Sequence, residues 1–454
     1  MTKKKIIYIL GVIVLIFLII LAVFLRKNEE QKTNTNKIEA TVMAINDDII
    51  TIQDTKNVIY TFSTDKIIAN VGQDISVIYT GILDEYEQTQ NVEVVSYEIM
   101  VNSNNNIPTT WQENGIFSDY YNYAYNKLKT MSLDEKIAQL LLVRLPDNPK
   151  EVLKKYQFGG YLFFEKDFRD KTKEQVKTMI KELQDISKIP LLTAVDEEGG
   201  NVIRVSSNPN LVSEPFKSLQ ELYNQGGMTA ISKDTIKKSD ILYNLGLNLN
   251  LAPVVDVSTN SSDYIYPRTI GQNTEITSTY AKTVISASKS GKVSYTLKHF
   301  PGYGNNLDTH TGASIDNRTL EEIRQNDLPP FESGIKAGAE AVLINHNTMS
   351  NIDNNNPASL SSTVHNILRN DLNFSGVIIT DNIDMSALNS ISKVNVKALL
   401  SGNNMIITTD YETSMNELKK AVNDNEISQN LIDELAFKVI AWKYYKGLII
   451  ENQK

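Results

Sequence analysis

The chain has 454 residues, with 54 acidic against 45 basic side chains, a net charge of −9 and no cysteine. That length allows two or three domains and a large core. The acidic balance argues against a nucleic-acid partner, and the lack of cysteine excludes disulfides, thiol catalysis and cysteine-ligated metal.

In chain order, the first feature is Lys3-Lys4-Lys5, followed by the uncharged run Ile6–Leu25 and a stop at Arg26-Lys27. A helix of that length reaches about 30 Å, enough to span a bilayer core. The residues at Leu21–Leu25 make a poor cleavage site, which favours an uncleaved anchor over a signal peptide. Residues 1–27 therefore read as a transmembrane anchor. The tight lysine cluster places the amino terminus inside and the bulk of the chain outside the cytoplasm. Residues 28–38 are polar and read as a juxtamembrane linker.

Residues 39–101 have another texture. Ala40–Ile45, Ile49–Gln53, Val58–Phe62, Ile75–Tyr79 and Val92–Ile99 are strand-like, with turn residues between them. They predict a small all-β module, a sheet or an OB-like barrel, serving as a spacer or as a contact for the cell wall or another protein. It lacks the basic-aromatic pattern of a nucleic-acid binder. Residues 102–118 begin with a low-complexity polar run and read as a linker.

Over residues 119–454, short apolar runs alternate with longer amphipathic segments. The candidate strands are Leu140–Val143, Gly160–Phe164, Pro190–Val195, Leu247–Ala252, Val293–Leu297, Ala341–Asn345, Gly376–Thr380 and Met405–Thr408. Helical segments include Lys171–Ser187, Ser278–Ser290, Leu320–Ala337 and Ala387–Ser401. This alternation predicts an α/β fold, a TIM-type (β/α)8 barrel, whose active-site residues belong at the carboxyl ends of the strands. Polar residues do follow the apolar runs: Asp196, Lys298 with His299, His346, Asp381 and Asp410.

The stretch Lys298–His310 reads K-H-F-P-G-Y-G-N-N-L-D-T-H and holds two of the chain's four histidines. Pro301, Gly302 and Gly304 mark a sharp, mobile turn, which would let His310 swing in after substrate binds. Histidine carries protons near neutral pH, and Asp308, two residues before His310, is placed to orient it.

The string K-H-F-P-G-Y-G resembles the signature of glycoside hydrolase family 3, in particular its β-N-acetylglucosaminidase branch, whose loop carries an Asp-x-His dyad. The resemblance runs from about Leu133 to the last strand. Asp196-Glu197-Glu198-Gly199-Gly200 through Arg204 is similar to the family's D-x-E-G-G-x-V-x-R motif. Asn250–Val257 resembles N-x-A-P-V-x-D-V, and Thr380–Met385 resembles T-D-x-x-x-M. The resemblance implies Asp381 as nucleophile and the Asp308–His310 dyad as acid/base. It implies Asp196, Arg204, Arg268, Lys298, His299 and His346 as substrate-binding residues, and no metal or organic cofactor.

On residue pattern alone, Glu197 and Glu198 read as a helix-capping cluster, His346 equally as a structural histidine, and His365 as non-functional. Asp384 competes locally with Asp381, and Asp256 reads as holding its loop. The chain departs from the family pattern at Tyr303, where histidine is usual, at Asn201, where a basic residue is usual, and at Asn404, where Asp is common. The segment from Gly304 to Asp308 is one residue shorter than the commonest form.

The resulting expectation is a single-pass cell-membrane enzyme with an extracytoplasmic catalytic domain. It would release terminal β-linked N-acetylglucosamine from peptidoglycan fragments, muropeptides or chitin-like oligosaccharides through a covalent glycosyl-enzyme. The alternatives are a phosphorylase acting on the same sugars and a catalytically weak wall-binding platform.

Overall fold

The computed structural model describes residues 35–450, apart from 47–48, 55–57, 65, 68, 70–73, 84–89, 100–106 and 113. The expected membrane anchor at Ile6–Leu25 lies outside the described residues. Among the described residues, no helix is long and apolar enough to cross a membrane. The chain divides near residue 104 into two compact units.

The first unit is a five-stranded antiparallel sheet of β1 (Asn36–Asn46), β2 (Ile49–Asp54), β3 (Ile59–Ser63), β4 (Asp74–Gly81) and β5 (Val92–Ile99), in the order β3-β2-β1-β4-β5. Inward positions such as Val42, Ile50, Ile52, Phe62, Ile75, Val77 and Val94 form its core. Their spacing follows the period-two alternation of a half-buried strand. The sheet answers to the small all-β module expected, and its five strands with one partly open side are compatible with the OB-like form of it. Among the described residues, one backbone hydrogen bond from Gln90 N–H to Thr61 O, at 2.7 Å, joins the β3 and β5 sides.

The second unit is a closed parallel barrel. Its strands are β6 (Leu141–Arg144), β7 (Gly160–Phe163), β8 (Leu192–Val195), β9 (Leu249–Asn250), β10 (Ser294–Phe300), β12 (Ala341–Ile344), β14 (Val377–Asn382) and β15 (Met405–Thr408). Two short strands, β11 (Ile315–Asp316) and β13 (Thr348–Met349), pair with each other outside the barrel. β15 pairs with β6 from Ile406 against Leu141, which closes the ring. The barrel strands are almost wholly buried, so they appear in sequence as unbroken apolar runs rather than alternating ones.

Three expectations change, the first being that the helix expected over Ala387–Ser401 spans only Val394–Ser401, after a separate 3-10 turn at Ser386–Leu388. Part of 102–118 is not a linker: Ile107, Trp111 and Phe117 are buried in the barrel unit, and Trp111 packs on Phe437 of the last helix at 5.4 Å. Three apolar residues spread over a polar stretch make no readable period. The helix expected over Leu320–Ala337 is two, Leu320–Asn326 and Leu328–Lys336. Pro329-Pro330 sits at the start of the second, where proline is tolerated, and breaks the first.

β7 starts where neighbouring backbones approach closely. A Cβ on Gly160 would lie 2.4 Å from Leu192 O, and one on Gly159 would lie 2.1 Å from Gln139 O. Gly160→Ala should therefore destabilise the barrel by about 1–3 kcal/mol through overpacking. Urea unfolding of the two proteins measures this, and equal midpoints would contradict it.

Candidate active site

A cavity of about 380 Å³ opens at the carboxyl ends of the barrel strands. It is lined by Asp196, Glu198, Arg204, Arg268, Lys298, His299, His310 and Asp381, together with Arg144, Phe164, Tyr264 and Asn382. Two buried knots of charge hold one side of it.

The first knot centres on Lys298, whose Nζ lies 2.8 Å from Asp196 Oδ1 and 2.7 Å from Glu198 Oε1. Arg268 forks onto the same Glu198, donating from Nε at 3.0 Å and from Nη2 at 2.7 Å. Burial pushes the Glu198 carboxyl up, but Arg268 and Lys298 outweigh it and hold it far below the usual carboxylate range. Burial likewise opposes the Lys298 charge, yet Asp196 and Glu198 keep the ammonium above its ordinary value.

The second knot centres on Asp256. Its Oδ2 accepts from His299 Nδ1–H at 2.7 Å, and its Oδ1 accepts from the Tyr303 N–H at 2.7 Å. Arg268 can only donate, so His299 Nε2 accepts from Arg268 Nη2 at 3.1 Å. β10 pairs with β12 at Thr296, Leu297 and Phe300, skipping Lys298 and His299, whose side chains both reach the cavity.

Glu197 shapes the loop after β8. It accepts the backbone N–H groups of Arg204 at 2.8 Å and Val205 at 2.6 Å, and the Ser206 hydroxyl also donates to it. That foldback brings Arg204 into the cavity. Gly199 has φ +106°, and a Cβ there would meet Lys217 O at 2.3 Å.

Asp381, the last but one residue of β14, lies on the cavity floor. Burial pushes its carboxyl up, but His346, His299, the Asn382 N–H and Lys298 together hold it below the usual range. It is ionised at neutral pH. The competing Asp384 turns away and accepts from the Thr408 hydroxyl at 3.2 Å and the Asp410 N–H at 3.3 Å. At the rim, His310 Nδ1–H donates to Asp308 Oδ1 at 2.7 Å, which leaves Nε2 as the unengaged ring nitrogen. Burial pushes the Asp308 carboxyl up, but His310 and the Tyr264 hydroxyl hold it below the usual range. Asp308 stands behind His310 and is not itself part of the lining.

A profile described as "Glycosyl hydrolase family 3 N terminal domain" matches residues 132–441. The chain belongs to glycosyl hydrolase family 3. A beta-hexosaminidase of Xylella fastidiosa (strain M23) is 31% identical over 242 residues, covering 52% of this chain and 70% of that protein. One of Stenotrophomonas maltophilia (strain K279a) is 32% identical over 241 residues, covering 52% and 70%. Among solved structures, a family 3 beta-N-acetylglucosaminidase from Paenibacillus sp. str. FPU-7 superposes with a TM-score of 0.66 at 26% identity, over 71% of this chain. This chain spans 64% of that structure's length. The beta-N-acetylhexosaminidase from Beutenbergia cavernae DSM 12333 shares the fold, with a TM-score of 0.63 at 22% identity.

Within this family 3 barrel, the residues brought to the cavity are Asp196, Arg204, Arg268, Lys298, His299, His310 and Asp381. Among the residues expected to bind substrate, His346 is the exception, which corrects the expectation that it lines the site. It is buried, with Nε2–H donating to Asn382 O at 3.0 Å and Nδ1 bonded to the Ser359 hydroxyl at 2.7 Å. Burial lowers its pKa, so the ring is neutral and supports the Asp381 strand end from behind. His365 is also buried, bonded through Nδ1 to Ser361 O at 2.7 Å. The turn reading changes too. Gly302 and Gly304 have φ +125° and +60°, and a Cβ at either would strike Asp327 or Arg318 at 2.3 and 2.6 Å. Arg318 donates to Gly302 O at 3.3 Å and to Asp327 Oδ2 at 2.6 Å. The glycines serve close approach, and the base of the loop is pinned.

Sequence reasoning missed Glu198, Tyr264 and Arg144. Arg144 ends β6, and the strand-end rule applied to the first strand would have found it.

The Glu198 shift sets an acid limit on stability. A carboxyl held below its unfolded value of 4.5 contributes stability above that pH, and the contribution is lost as pH falls through the folded value. Glu198→Gln should cost about 3–5 kcal/mol at pH 7 by leaving two cations with too little countercharge. The loss should shrink towards pH 3, and thermal melts of both proteins across that range measure it. A constant difference would refute the assignment.

Proposed function

We propose that the protein is a retaining exo-β-N-acetylglucosaminidase acting on peptidoglycan fragments or chitin-like oligosaccharides. The observation that carries this reading is that Asp381, ionised on the floor, and His310, at the rim, line the same cavity. A retaining glycosidase needs a nucleophile and an acid/base on opposite sides of the scissile bond. The names of the Xylella and Stenotrophomonas relatives and of the Paenibacillus structure support the sugar class.

In this reading the Asp381 carboxylate attacks the anomeric carbon as His310 Nε2–H protonates the departing oxygen. Asp308 accepts from Nδ1–H, fixes the ring and stabilises the imidazolium. Neutral His310 then takes a proton from the water that releases the sugar from Asp381. Arg268, His299, Lys298 and Asp196 present a fixed set of donors and acceptors to the sugar hydroxyls and the acetamido group. Ile6–Leu25 supports anchoring at the cell membrane with the barrel outside the cytoplasm, and the open sheet serves as a spacer or a contact for the wall or a protein.

A chromogenic β-N-acetylglucosaminide should be cleaved, and the matching β-glucoside far more slowly. Asp381→Asn should abolish turnover. His310→Ala should lower kcat by about 10²–10⁴-fold. Tight sugar binding without turnover would instead support the wall-binding platform, and a glycosyl phosphate formed in phosphate buffer would support the phosphorylase.

A further inference from the structure

We infer that Tyr303 is a positioning residue that carries the fixed geometry of the barrel wall out to the Asp308–His310 dyad. The inference rests on the hydrolase reading above. Its inner end is anchored: the backbone N–H donates to Asp256 Oδ1 at 2.7 Å, the carboxylate that also holds His299. Its ring is buried, clustered with Val254 and Ile265 and set edge-on to His299 at 5.7 Å. Its outer end reaches the loop. The Tyr303 hydroxyl accepts the Thr309 N–H at 3.0 Å and shares a second hydrogen bond with the Thr309 hydroxyl at 3.0 Å.

Thr309 is the residue between Asp308 and His310, so fixing its backbone fixes where both side chains depart. The phenol can play both parts at once, accepting from the amide and donating to the threonine oxygen. Burial pushes its pKa up to about 12, so the proton it donates is retained. Asn306 closes the inside of the loop, donating to Tyr303 O and to Asp316 Oδ2, both at 2.8 Å. Of the dyad, His310 faces outward, with its side chain 61% exposed. A ring that open to water owes its placement to Asp308 and to the backbone that carries both residues. Tyr303 does not line the cavity, so it acts through Thr309 and not on the sugar.

Tyr303→Phe removes the hydroxyl and keeps the ring. Amide hydrogen exchange of the 454-residue chain reads the anchor directly, whatever the reaction. Exchange in a peptide covering residues 304–312 should quicken by about three- to tenfold, the worth of one or two net hydrogen bonds, with barrel-strand peptides unchanged. Kinetics then read the consequence. For a N-acetylglucosaminide whose leaving group needs protonation, kcat/KM should fall by about 10–100-fold. For an activated nitrophenyl glycoside it should stay within about threefold, since that leaving group departs without an acid. A barrel loosened as a whole would lower both alike. Thr309→Val should shift kinetics in the same direction, and the double variant should cost less than the two single effects combined.

Unchanged loop exchange in Tyr303→Phe would overturn the inference. So would faster exchange with both substrates affected equally. A wild-type chain that turns over neither sugar would refute the hydrolase reading instead, and the exchange result would still decide whether Tyr303 holds the loop.

Discussion

Lys298 carries a positive charge where almost no water reaches it, and the mouth of the barrel is arranged around that charge. An ammonium in such a place is tolerated only when carboxylates replace its hydration. Asp196 and Glu198 do so from the end of β8. Glu198 also fixes Arg268, Arg268 touches His299, and His299 is held by Asp256, which in turn holds Tyr303. One continuous chain of charge-assisted contacts therefore links the loops after β8, β9 and β10. Each member is oriented by its neighbours before any sugar arrives, so little reorganisation accompanies binding.

Asp381 belongs to the same rigid floor, with neutral His346 bonded to the carbonyl of the next residue and to Ser359. The dyad is built differently. It rides on a loop whose base is clamped by Arg318 between Asp316 and Asp327, and whose far end is tied to the segment after β12 through the β11–β13 pair. The floor is set by strand ends and buried ions, and the rim by a tethered loop.

The barrel was legible because its strands are buried on both faces. Runs such as Val377–Thr380 and Met405–Thr408 stand out as apolar stretches with a polar residue after them. The first-unit strands were equally plain from alternation and turn residues. Ion pairing was not legible: Glu198 and Arg268 are 70 positions apart, and nothing local says that the third residue of an acidic run turns inward instead of capping a helix. His346 read as a sugar ligand because its place at a strand end is real, while the direction of its ring depends on Ser359 and Asn382. Gly302 and Gly304 read as a hinge because glycine looks the same in sequence whether it is needed for motion or for room. The linker over 102–118 hid Trp111 and Phe117 because their partners lie on the last helix, over 300 positions away.

The open face of His310 has a consequence for how such an enzyme can change over generations. On the proposed reading, sugar recognition and the nucleophile are written into strand ends whose alteration endangers the fold. On that reading the proton donor rides on a loop outside the barrel strands, pinned at its base by Arg318 and exposed at His310. Substitutions at its exposed positions would then retune the aglycone and the working pH while the glycan specificity is inherited, so the two halves of the proposed reaction would descend at different rates.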